Sequence, residues 1–236
     1  MANTSTAGYG LRAVMTVGNT PATSGQSEYQ ILGEGATSGS AVVSKTFFKG
    51  DTVSINDGTG AGAAGGATGA GGLGYIQDAT YALTDDGLVG GADFDNTTAS
   101  IGLLVGVFNG AFYVAGSTSK PTWANSFDNG TTVTTDYNTG SAGVAAFVMD
   151  NPNQEYHIRA NDSWTQADVG TSFNTGSNGG TGISGMSDER LDVTTAAAAT
   201  SALTLIRSAN VPDQKDQTVG GSDVVVLINK ASALFN

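Results

Sequence analysis

The residues that could do chemistry are few and poorly assembled. His157 is the single histidine, so a histidine general base or a histidine-ligated metal would have to use it. It stands beside Arg159 in an extended run with no Ser or Cys nucleophile motif around it, and it reads as an outward-facing strand residue. Carboxylates gather at Asp85-Asp86, at Asp93 and Asp95, and at Asp188-Glu189 with Asp192. Such sets can serve a glycosidase pair or a loose Ca2+ or Mg2+ site, but none has the spacing of an EF-hand loop, and solvated turn residues are the favoured reading. Gly60-x-Gly62-x-x-Gly65 and Gly69-x-Gly71-x-x-Gly74 both match the dinucleotide fingerprint. That chemistry needs a helix N-terminus directly afterwards to hold the pyrophosphate, and Gln77-Asp78-Ala79-Thr80 does not supply one. Two matches in one run reflect glycine content. Gly182-Ile183-Ser184-Gly185 lacks the spacing of a nucleophile elbow and reads as a loop. No catalytic residue, cofactor or metal is expected, and the chain is not expected to be an enzyme.

The elements that must carry these residues are strands. Extended, apolar or alternating runs occur at 11–17, 28–32, 41–48, 51–56, 101–108, 111–115, 144–149, 155–160, 202–208 and 223–229, most bounded by Gly, Asn, Asp or Ser. Asn109-Gly110 lies between two apolar runs and predicts a type I′ hairpin turn, because both residues tolerate positive φ. The stretch 143–160 predicts a second hairpin: an apolar strand, the turn residues Asp150-Asn151-Pro152-Asn153, then an alternating strand. In that second strand Tyr156, Ile158 and Ala160 face one way, and Glu155, His157 and Arg159 the other. Residues 194–202 have the alanine content for a helical turn or two but no apolar spacing to anchor a helix, so helix and loop stay open. Nine glycines among the 17 residues of 58–74 predict a surface loop. The Gly, Asn, Thr and Ser-rich runs 125–143 and 171–185 are expected to be long loops as well.

Charged residues make up 13% of the chain and glycine 35 of its 236 residues, a balance suited to a mostly strand-and-loop protein. The net charge of −12 repels phosphate backbones, so nucleic acid is not an expected partner. There are no cysteines, which excludes disulfides and thiolate metal sites. Residues 1–10 lack the basic and apolar regions of a signal peptide, and the longest apolar run is far shorter than a membrane span, so no membrane association is expected.

Several stretches resemble, in order and spacing, a family of tailed-phage capsid decoration (cement) proteins. Phe147-Val148-Met149-Asp150-Asn151-Pro152 followed by Glu155-Tyr156-His157-Ile158-Arg159-Ala160 is similar to that family's central hairpin. Thr165-Gln166-Ala167-Asp168-Val169-Gly170, the 187–192 stretch with Glu189 and Leu191, and Asp223-Val224-Val225-Val226-Leu227-Ile228-Asn229 follow in the family's order. Met1-Ala2-Asn3, Gly10-Leu11-Arg12-Ala13-Val14 and Tyr29-Gln30-Ile31 resemble its opening. The resemblance spans roughly the first 55 and last 95 residues, and 75–140 reads as an insertion region.

The expected architecture is a single all-β domain over 1–236, an antiparallel β-sandwich or barrel-like core with long Gly/Thr/Asn-rich loops and an extended N-terminal arm over 1–20. The resemblance implies a homotrimer on the outside of an icosahedral phage capsid, with the major capsid protein as partner and virion stabilisation as function. Leu11, Arg12, Ala13, Val14 and Met15 are the expected capsid or subunit contacts, as an arm strand adding to a neighbour's sheet edge. Removing residues 1–17 is then expected to leave a folded protein that no longer binds its shell. Tyr9, Tyr29, Trp123, Phe127 and Trp164 could serve as contact anchors in an assembly, but core packing is the favoured reading for them. A virion-surface host- or carbohydrate-binding module, with Trp123 and Trp164 stacking on sugars, is the alternative from another functional class.

Overall fold

The structure is a computed structural model that describes residues 3, 5–18, 20–21, 25–32, 46–55, 76–78, 104–128, 143–176, 180–194, 201–229 and 233. The glycine run 58–74, Asp85, Asp86, Asp93, Asp95, and most of 125–143 and 194–202 lie outside the described residues. In chain order the strands are β1 (Arg12–Thr16), β2 (Thr20–Pro21), β3 (Ser27–Leu32), β4 (Phe47–Phe48), β5 (Thr52–Ile55), β6 (Ile76–Asp78), β7 (Leu104–Ala115), β8 (Lys120–Ala124), β9 (Ser126–Phe127), β10 (Gly143–Met149), β11 (Gln154–Arg159), β12 (Ser172–Gly176), β13 (Gly180–Thr181), β14 (Met186–Ser187), β15 (Arg190–Asp192), β16 (Leu203–Ser208) and β17 (Asp223–Ile228). The only helical piece among the described residues is a 3-10 turn at Gln166–Asp168. The protein is all-β, as its composition predicts.

Two antiparallel sheets make up the body. One runs β15-β12-β16-β17-β11-β1-β2; the other runs β3-β10-β7-β5-β6, with β8 also paired to β7. The second sheet curls until β6 approaches β3, a half-closed barrel. Inside the curl Ile31, Phe47, Val53, Ile76, Val105, Phe108, Phe127, Val144 and Val148 form one core. A second core lies between the sheets, where Leu104, Val107 and Met149 meet Tyr156, Ile158, Leu203, Leu205, Val224 and Val226. Each of these larger side chains contributes about 1.5–3 kcal/mol by leaving water. β17 is a continuous apolar run because it is the central strand, flanked by β16 and β11.

Neither predicted hairpin forms. β10 pairs with β3 and β7, whereas β11 pairs with β1 and β17, so residues 150–153 carry the chain from one sheet to the other. The turn chemistry is as read: Asn151 accepts from the Asn153 and Gln154 amides, and the Tyr29 hydroxyl donates to Asp150 at 2.9 Å. Asn109-Gly110 is a bulge within the single long strand β7. Gly110 lies opposite Phe147 and Phe108 opposite Val148, leaving Asn109 as the extra residue. The true hairpin comes later, between β7 and β8, through 116–119 with Ser119 at φ 53°. The 171–185 run, expected as loop, supplies β12 and β13.

The opening segment is extended, as expected, but it is no free arm. β1 is antiparallel to both β11 and β2 within the chain's own sheet. Ahead of it, Asn3 bonds the 216–220 loop, Arg190 donates to the Thr6 carbonyl, Arg159 to that of Ala7, the Gly10 amide to Glu189 and the Leu11 amide to Gly50.

Candidate binding face

One face of the curled sheet is covered over only half its length. The outward side chains of β7 and β10 at one end, Leu104, Val107 and Met149, are buried against the seven-stranded sheet. Past the Asn109 bulge the same face meets solvent, and it carries Phe112 and Val114 on β7, Pro121 and Trp123 on β8, and Ala145 and Phe147 on β10. Paired positions share a face, which sets Phe112 between Trp123 and Ala145, and Phe147 beside Gly110. Trp123 is 48% exposed and Phe112 38%.

Gly110 explains how an exposed indole is held. At φ 148° its backbone lies in a region that favours glycine, and a Cβ there would sit 2.6 Å from Cζ2 of Trp123. The indole therefore rests on bare β7 backbone, and its centroid is 5.0 Å from that of Phe147 at an interplanar angle of 45°. Nearly half of the residue's surface remains exposed. Beyond Phe147 the row continues onto the edge strand β3 with polar side chains: Gln30 opposite Ala145 and Glu28 opposite Phe147. The Asn109 amide donates to the exposed Gln26 side chain at 2.7 Å. The result is a rigid aromatic strip bordered by amides and one carboxylate.

The outer face of the seven-stranded sheet is different in kind. Arg207 pairs with Glu155 at 2.6 Å and Arg159 with Asp223 at 2.8 Å, while Arg12 and Arg159 both lie over the Tyr9 ring. Burial pushes the Tyr9 phenol above its ordinary pKa, and the Asp223 carboxylate adds to this against the pull of the two arginines. His157 is half-buried among these groups, opposite Arg12 and Val225. Burial lowers its pKa; Arg207 and Arg12 act in the same direction, Asp223 and Glu155 against it. These contacts fasten residues 6–12 to the sheet, so the one histidine sits in a structural network.

Among the described residues the acidic groups do not converge. Glu189 is fully buried and accepts from the Thr52 amide and hydroxyl, which ties the 187–190 stretch to β5. Asp192 instead binds Asn161 and Thr194. Among the described residues no three His, Cys, Asp or Glu side chains gather as a metal-ion cluster, and no helix is long and apolar enough to cross a membrane. Gly182-Ile183-Ser184-Gly185 forms the turn between β13 and β14 and presents Ile183 fully to solvent.

No protein-family model, curated protein or solved structure matches the chain.

Of the five residues expected as contacts, Leu11 is buried in the core between the sheets, and Ala13 and Val14 are half-buried. Arg12 and Met15 are exposed, and their backbones pair with β11 of the same chain. Trp164 cannot stack on a sugar: it is 4% exposed, and its indole N–H donates to the Ser222 hydroxyl at 2.7 Å. Phe127 belongs to the barrel core, Tyr29 and Tyr9 are half-buried, and Trp123 alone of the five is open. Sequence reasoning missed β8 and the glycine beneath the indole. The available signal was the alternation Pro121-x-Trp123 directly after a Ser-Thr-Ser turn.

Proposed function

We propose that the chain is a virion structural protein that binds the outer surface of an icosahedral phage capsid and stabilises contacts between major capsid subunits, working as a homotrimer. The observation that carries this reading is where the resembling motifs fall. Gly10 to Val14, Glu155 to Ala160 and Asp223 to Asn229 fall on or directly beside β1, β11 and β17, three neighbouring strands, Tyr29 to Ile31 lies in β3 of the other sheet, and Phe147 to Pro152 runs from the end of β10 into the crossover between the two sheets. The chemistry agrees, because the charged groups of the seven-stranded sheet are engaged with one another and with the chain's own opening segment. Attachment of this kind needs only repeated modest contacts, which sum over a shell.

The test is co-sedimentation of the purified chain with undecorated capsids, followed by heating decorated and bare shells side by side. Binding that raises the heat resistance of the shell is expected. A chain that stays in the supernatant refutes the reading.

A further inference from the structure

The uncovered half of the curled sheet's outer face has a chemistry that capsid attachment does not require. We propose that it is a carbohydrate-binding face, on which sugar rings of a neutral glycan stack on Trp123 and Phe112 while their hydroxyls bond to Glu28, Gln30 and the Asn109–Gln26 amide pair.

Three features argue for this occupant. The indole is held in place, since it lies close over Gly110 and against Phe147. Flat aromatic rings exposed to this extent, Trp123 at 48% and Phe112 at 38%, suit the C–H face of a pyranose, whose hydroxyls project around its edge. The strip then turns polar toward β3 with a single charge: Gln26, Gln30 and Asn109 are amides, and Glu28 is the one carboxylate in the row. Side-chain amides and carboxylates offer the paired donors and acceptors that vicinal hydroxyls need. Charge selects the class of glycan, because a chain of net charge −12 disfavours sulfated, phosphorylated or uronic-acid polymers. A protein partner fits less well, since a protein hot spot sits inside a ring of contacts that exclude water. Here the aromatic strip is bordered on one side by an amide and carboxylate row, and on the other it ends in the exposed strand β8 that carries Trp123.

This face is independent of the capsid reading, and the two tests are read separately. The full chain is titrated with cellohexaose, chitohexaose, maltohexaose and mannohexaose, and binding is followed by calorimetry and by tryptophan fluorescence. Binding of at least one of them is expected, with affinity falling about tenfold or more in Trp123→Ala and less in Glu28→Gln. Trp164→Phe is the control, since that side chain is buried: it should retain wild-type affinity. Trp123→Phe, which keeps an aromatic ring over Gly110, separates lost stacking from lost folding and should bind with intermediate affinity. Failure of all four sugars to bind would overturn the proposal, as would binding unchanged in Trp123→Ala. A Trp123→Ala chain that binds the sugars normally but loses its oligomeric state or its capsid binding would assign the face to a protein partner instead.

Discussion

His157 shows how one side chain can look catalytic and be structural. Its ring is held by strand pairing opposite Arg12 and Val225, with Glu155 on its own strand, Asp223 on β17 and Arg207 on β16 nearby. Burial is the largest influence on it and disfavours the imidazolium. The folded-state pKa therefore lies below the value of about 6.5 in the unfolded chain. As the pH falls, the unfolded chain takes up this proton first. The residue's contribution to stability is thus complete above the unfolded value and is lost as pH drops through the folded one. A His157→Asn variant should show a shallower loss of stability with acidification below about pH 6.5, read as urea midpoints across a pH series. An identical pH slope in the two proteins would mean that His157 titrates alike folded and unfolded. The inward and outward alternation around His157 was legible in the sequence, because period-2 patterning is local. The fates of the two tryptophans were not. Trp164 is buried with its N–H donated to Ser222, distant in sequence, and Trp123 is exposed on β8, a strand paired to β7.

At the level of elements, two turn signals were read correctly as local chemistry and wrongly as topology. Residues 150–153 do turn the chain, but whether the next strand pairs with the last depends on which edges are already occupied. β3 and β7 flank β10, so β11 goes to the other sheet. Of Asn109-Gly110 only Gly110 takes a positive φ, and it does so within a strand beside the bulge, where its missing Cβ admits the Trp123 ring. The opening strand has a sharper consequence. β1 covers the edge of β11, Leu11 fills the core between the sheets, and the Gly10 amide bonds the backbone of the stretch that holds buried Glu189. Removing residues 1–17 takes away the buried Leu11 side chain alone at about 2–5 kcal/mol, together with a strand's worth of hydrogen bonds, against a total stability of about 5–15 kcal/mol. The truncated chain should lack native near-ultraviolet circular dichroism and be degraded rapidly by protease. A truncated chain that is folded and protease-resistant would show that the segment is a detachable arm. Point changes at exposed Arg12 and Met15 are the sounder way to ask whether this end touches a shell.

For the molecule as a whole, the important fact is that two cores share two strands. On β7, Leu104 and Val107 point into the core between the sheets while Val105 and Phe108 point into the curl; on β10, Met149 and Val148 divide in the same way. Composition and strand patterning indicated an all-β chain with a sizeable core. That there are two cores could not be read, because the division depends on the strand order and on the bulges at Val105 and Asn109, which shift the alternation along β7. Since each of these strands is buried on both faces near the bulges, neither core can open while the other keeps β7 and β10 in place. The chain should therefore unfold in a single transition despite having two sheets. Leu203→Ala perforates only the core between the sheets, and Ile31→Ala only the curled one. Each should cost about 2–5 kcal/mol and lower the melting temperature by roughly 5–15 °C. Scanning calorimetry should show one peak in both variants, moved as a whole. A peak that splits, with the two substitutions each moving a different component, would mean that the sheets are separate folding units and that β7 and β10 do not couple them.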